Sequence, residues 1–236
     1  MPAATHPAAH LSTTLLLCLP LALPGLALAA EPAIEEIIVT AQKRAQSIED
    51  VPIAISAFTA ETLQIAGVED IRDLTILSPS LILTSTQSET AGTTARIRGV
   101  GTTGDNLGLE SSVAVFVDGV YRNRNNVALT DLGQVERIEV LRGPQGTLFG
   151  KNAVAGLLSI TTQGPETEEL RAYTDLSAGD YDYWRMSAGI TGPVAGDKLA
   201  LRLDGSITQR DGFIDEVSTG TEYNDRDGYL LRGQLS

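Results

Sequence analysis

The chain has 236 residues, with 17 Lys plus Arg against 30 Asp plus Glu, giving a formal net charge of −13. That balance argues against a nucleic-acid binder, which needs a basic face for phosphate, and against electrostatic docking on an anionic membrane surface. A single Cys and two His exclude a multi-Cys disulfide framework and almost every structural zinc arrangement, so no metal site is expected, and no cofactor is expected either.

Residues 1–30 hold no Asp, Glu, Lys or Arg. The apolar run Leu15 to Leu28 is broken by Pro20, Pro24 and Gly25 and is too short for a spanning helix, which wants roughly 20 apolar residues. Ala27-Leu28-Ala29 is a small-x-small site, so residues 1–30 read as a secretory signal peptide cut near Ala29 or Ala30. Cys18, His6 and His10 would leave with it, and a mature chain without thiols suits an oxidising compartment.

Residues 31–49 have no apolar periodicity able to close a core and read as a flexible segment. Within it lies a β-prone island, Ile37-Ile38-Val39-Thr40-Ala41. Such an island can serve as a strand that adds to a sheet edge on another protein.

Residues 50–164 alternate between α and β signals and predict one small α+β domain. Ile53, Ile55 and Ala57 form a short strand, and Thr59 caps a helix from Ala60 to Ala66 that Gly67 stops. Ile71, Leu74, Ile76 and Leu77 suggest a second helical stretch ended by Pro79. Strands follow at 81–84, 95–98, 113–117, 135–141 and 157–162, with Asp118-Gly119 as a turn. Tyr121 to Asn126 is a polar loop.

Residues 165–236 change character. Trp184 to Ile190 and Leu199 to Ile207 alternate strictly between apolar and polar residues, and 170–178 and 229–236 repeat the theme. Amphipathic strands joined by Gly-, Asp- and Pro-rich turns predict the first strands of an outer-membrane β-barrel. Four strands cannot close a barrel, so the chain reads as an N-terminal fragment of a larger protein or as a truncated product.

Two glycine motifs resemble cofactor loops and fail on context. Gly99 to Gly104 spells G-x-G-x-x-G, but no helix opens at its third glycine to face a pyrophosphate. Gly146 to Lys151 is one residue too short for a phosphate loop, and Asn152 replaces the magnesium-holding hydroxyl. No nucleophile–base–orienter set survives in a chain whose His and Cys lie in the leader, so no catalytic residues are assigned and an enzyme is not expected.

The stretch from Val135 to Pro165, VERIEVLRGPQGTLFGKNAVAGLLSITTQGP, places Arg137 and Glu139 on one strand face before a compact glycine loop. It resembles the plug-domain signature of TonB-dependent outer-membrane receptors through Arg137, Glu139, Arg142, Gly143, Pro144, Gly150, Asn152 and Gly156. Ile97-Arg98-Gly99 is similar to the family's I-R-G, and Asp118-Gly119-Val120 to its D-G-V turn. Glu36 to Arg44, with Ile37, Ile38, Val39, Thr40 and Ala41 at its centre, resembles the TonB box.

The resemblance implies a plug seated in a barrel of about 22 strands, in the outer membrane of a Gram-negative bacterium. It implies contact with outer-membrane lipid, strand addition of the box to TonB, and energy-coupled uptake of a scarce ligand such as an iron–siderophore complex or cobalamin. It also implies that Arg137 and Arg142 face glutamates on the barrel wall. Loop residues Thr102, Thr103, Asn106, Tyr121, Arg122, Asn123 and Arg124 correspond by position to the ligand-contacting apex. Two other readings stay open: a soluble periplasmic plug-like binding protein, and a truncated receptor that does not transport.

Overall fold

The computed structural model describes residues 37–40, 43–68, 70–84, 93–102, 109–123, 133–196, 198–220 and 222–236. The expected signal peptide lies outside them.

The N-terminal half contains strands β1 (Ile38–Val39), β2 (Gln46–Ser47) and β3 (Ile55–Thr59), then helix α1 (Ala60–Ile65). Thr59 caps α1 by accepting from the Thr62 amide at 3.3 Å, and Gly67, at φ +66°, lets the chain leave it. A 3-10 turn at Ile71–Asp73 runs into α2 (Leu74–Leu77). Strands β4 (Leu81–Thr84), β5 (Thr94–Ile97), β6 (Val113–Val117), β7 (Val120–Arg122) and β8 (Val135–Arg142) follow, then α3 (Gly146–Phe149) and β9 (Gly156–Thr162).

These strands build a five-stranded sheet in the order β3-β8-β9-β6-β7, parallel only between β6 and β9. Its inner strands are covered on both faces, so β6 (VAVFV) reads as a continuous apolar run, and even Glu139 is buried in the middle of β8. One core packs Ile138, Val140, Leu158 and Ile160 against Leu63, Leu74, Leu81 and Ile97. The opposite face packs Leu141 and Leu157 with Val39, Val51, Ala114 and Ala153. The turn Asp118-Gly119 has both residues at positive φ, 50° and 76°, as a tight hairpin requires. The Asp118 carboxylate also accepts from the amide and hydroxyl of Thr162, at 2.8 and 2.9 Å, tying the end of β9 to that turn.

The C-terminal half contains β10 (Arg171–Ala178), β11 (Trp184–Ala195), β12 (Leu199–Arg210), a short hairpin of β13 (Ile214–Asp215) and β14 (Glu222–Tyr223), and β15 (Arg226–Leu235). Four of them form an antiparallel sheet in the order β10-β11-β12-β15, open at its two outer strands among the described residues. Its polarity is the reverse of a soluble sheet. Arg185, Ser187, Thr191, Arg202, Asp204, Ser206 and Thr208 are buried, while Met186, Ile190, Leu203 and Ile207 are exposed. Register places Leu176, Met186, Ile207 and Tyr229 side by side across all four strands. A continuous apolar row on the outside and a hydrogen-bonded polar face on the inside suit a wall with lipid on one side.

The expected α+β domain and the antiparallel strands after it are both present. Strand β3 runs from Ile55 to Thr59, two residues later than the alternation of Ile53, Ile55 and Ala57 suggested. The shift follows from pairing with β8, which sets Ile55 opposite Leu141 and Thr59 opposite Arg137.

Candidate functional site

Four residues before the globular domain are folded onto it. β1 pairs antiparallel with β2, Ile38 opposite Ser47 and Val39 opposite Gln46, and the Ile48 amide donates to the Ile37 carbonyl at 3.0 Å. Val39 is fully buried in the second core, whereas Ile38 is 41% exposed. The expectation of a flexible segment over 31–49 therefore does not describe residues 37–40 and 43–49. Burying Val39 and pairing two short strands offsets the entropy of ordering them. Ala41 lies outside the described residues.

Thr40 leaves β1 against Glu139 of β8. Its amide donates to Glu139 Oε1 at 2.8 Å and its hydroxyl to the same oxygen at 3.3 Å. Glu139 is 1% exposed, and its charge is met by Arg137 Nε at 2.7 Å. Arg137 also reaches Glu136 at 3.1 Å. The resemblance implied a barrel-wall partner for Arg137; here the carboxylates one and two residues along its own strand are within reach. Arg142 donates to the Ile55 carbonyl at 3.2 Å, and its Nε is buried without a partner among the described residues.

The remaining signature residues shape backbone. Arg98 and Gly99, at φ +54° and +78°, form the two-residue turn between Ile97 and Val100. Gly143, at φ +94°, and Pro144 end β8, and the Gly143 amide donates to the Ala155 carbonyl at 3.0 Å. Gly150, at φ +87°, closes α3. Asn152 donates from its side chain to the Tyr121 hydroxyl. At Gly156 a Cβ would lie 2.2 Å from the Leu141 carbonyl oxygen, so only glycine lets β8 and β9 close there.

The expected ligand residues divide. Thr102 accepts from the Ser112 amide and donates to the Glu110 carbonyl, both at 2.9 Å, so it closes the base of its own loop. Tyr121 packs its ring 5.5 Å from Phe116 and takes the Asn152 bond. Arg122 and Asn123 are exposed. Thr103, Asn106 and Arg124 lie outside the described residues.

Two links from the domain to the four-stranded sheet were not legible in the sequence. Asp70 binds Arg226 of β15 at 2.8 Å while also holding Arg72 at 2.9 Å. Gln234 of β15 donates to the Thr162 hydroxyl at 2.8 Å. Burial pushes the Asp70 carboxyl up, but the hydrogen bonds from the Arg72 side chain and amide, with the charges of Arg72 and Arg226, hold it below the usual 3.8. Between the domain and the sheet lies a polar cavity of about 600 Å³ bordered by Gln64, Gln163, Tyr173, Arg185 and Arg202. On its wall the Tyr173 hydroxyl donates to Asp204 at 2.8 Å and Arg202 Nε pairs with the same carboxylate at 2.7 Å.

A five-stranded domain followed by antiparallel strands matches the structures of TonB-dependent receptors. Residues 47–157 match the family model described as the TonB-dependent Receptor Plug Domain. The pesticin receptor of Yersinia pestis is 33% identical over 220 residues, covering 86% of this chain and 31% of that protein. The iron-regulated outer membrane virulence protein of Vibrio cholerae is 28% identical over 219 residues, again covering 86% and 31%. Among solved structures, the ferric yersiniabactin uptake receptor FyuA of Yersinia pestis superposes with a TM-score of 0.64 at 28% identity, covering 78% of this chain and 28% of that one. The ferripyoverdine receptor of Pseudomonas aeruginosa shares the fold at a TM-score of 0.68 and 19% identity, covering 84% and 25%. The chain belongs to the TonB-dependent outer-membrane receptor family, and it spans about a third of the length of the curated relatives it matches.

Proposed function

We propose that this chain supplies the plug, the TonB box and the first wall strands of a receptor for TonB-energised uptake of a scarce ligand across the outer membrane. The reading makes it a receptor and not an enzyme. Ile37 to Ala41 act as the segment that adds a strand to TonB, and the ligand class is an iron chelate such as a ferric siderophore. The relatives named for iron regulation and ferric yersiniabactin uptake support that class.

The observation that carries the reading is β1 itself, a short strand seated on the plug with Ile38 facing outward. Main-chain pairing needs no matching side-chain pocket, so a partner strand can pair with this segment once it leaves the plug, and pull. We assign Arg122 and Asn123, both exposed, to contact with an anionic ligand. A soluble plug-like binding protein is the poorer fit, because an exposed apolar row across four strands would invite aggregation in water.

Disulfide trapping tests the proposal. A cysteine at Ile38 should cross-link to a cysteine in the pairing strand of the TonB periplasmic domain, and more strongly when iron chelate is supplied. No cross-link at any position from Ile37 to Thr40 would overturn it.

A further inference from the structure

β1 has two edges, and they are not equivalent. Ile37 and Val39 turn their main-chain groups toward β2, as the Ile48-to-Ile37 bond at 3.0 Å shows. By the period of two, Ile38 and Thr40 turn theirs to the opposite edge, where a further strand would have to add. At Thr40 that edge is occupied. Its amide donates to Glu139 Oε1 at 2.8 Å, and its carbonyl accepts from the Lys43 amide at 2.8 Å.

We infer that Glu139 is an edge cap: its buried carboxylate takes the Thr40 amide that strand addition needs, so docking of the box and pairing with a partner strand exclude each other. This rests on the proposed role of residues 37–41 as the partner-binding strand. The carboxylate is well suited to reversible capping. Arg137 holds the same oxygen at 2.7 Å, so when Thr40 departs the buried charge keeps its counter-ion and opening does not strand it. Glu139 Oε2 is buried with no partner among the described residues, so Oε1 carries the whole interaction. The cap also lies 99 residues along the chain from the strand it closes, which makes it a property of the folded plug and not of the local segment. Glu139 is thus a positioning residue that sets how readily the box is handed over.

The test has two arms on the full chain. Amide hydrogen exchange should find the Thr40 amide protected in the wild type although Thr40 is an exposed residue; rapid exchange there would overturn the inference without any substitution. In Glu139→Gln a neutral acceptor replaces a charged one, so Thr40 protection should fall and affinity for the TonB periplasmic domain should rise roughly five- to tenfold. Unchanged protection in the variant would overturn the cap. If protection falls but no variant binds TonB, the cap stands and the reading of the box as a TonB partner fails. If wild type and variant bind TonB equally while protection falls, docking and pairing do not compete, and the inference fails.

Discussion

Asp70 joins two parts of the chain through one carboxylate. It caps the 3-10 turn, accepting from the Arg72 amide at 2.8 Å, and reaches across to Arg226 on β15. Because its folded value lies below 3.8, its contribution to stability is present above that unfolded value and is lost as pH falls through the lower folded one. Asp70→Asn should therefore cost about 1–3 kcal/mol at neutral pH and flatten the acid limb of a denaturant-stability profile below pH 3.8. Gly156 answers to space instead of charge. An added Cβ would meet backbone at 2.2 Å, with φ at +147°, so Gly156→Ala should destabilise by roughly 2–4 kcal/mol from overpacking and backbone strain together, read as a lowered denaturation midpoint. The motif residues of the glycine loop were visible in the sequence because φ restrictions limit them to glycine. The Asp70–Arg226 pair was not, because two charges 156 positions apart leave no local pattern.

Elements were legible where one rule dominated. Strand alternation located β11 and β12, and the Thr59 cap with Gly67 bounded α1, since each depends only on neighbours in sequence. β3 was misplaced by two residues because its register comes from β8. β1 was foreseen as a strand but not as a docked one, because burial of Val39 depends on side chains from β6, β8 and β9. The wall sheet carries its own prediction. Leu203 faces outward and pairs with outward Ile190, whereas neighbouring Asp204 faces the polar side. Carried in a receptor whose barrel closes, Leu203→Arg should destabilise the membrane-inserted fold by about 2–4 kcal/mol for a site near mid-membrane, while Ser206→Ala, on the inner face, should leave it unchanged. Denaturant unfolding of that receptor in lipid vesicles reads both.

At the scale of the whole molecule, the plug sheet, the docked strand and the inverted wall sheet act as connected parts. The plug is tied to the four-stranded sheet at Asp70–Arg226 and Thr162–Gln234, and to the segment proposed as the TonB box at Glu139–Thr40. The docked segment is therefore held by β8, the strand between β3 and β9, until it is released to a partner. Those ties join residues far apart in sequence, which is why the family motifs pointed to the plug without revealing its couplings. The most direct measurement is calorimetric titration of the full chain with the TonB periplasmic domain, comparing wild type with Ile38→Pro, which removes an amide from the box edge away from β2. The account predicts saturable binding to the wild type that the substitution abolishes. Equal binding by both chains, or none by the wild type, would contradict it.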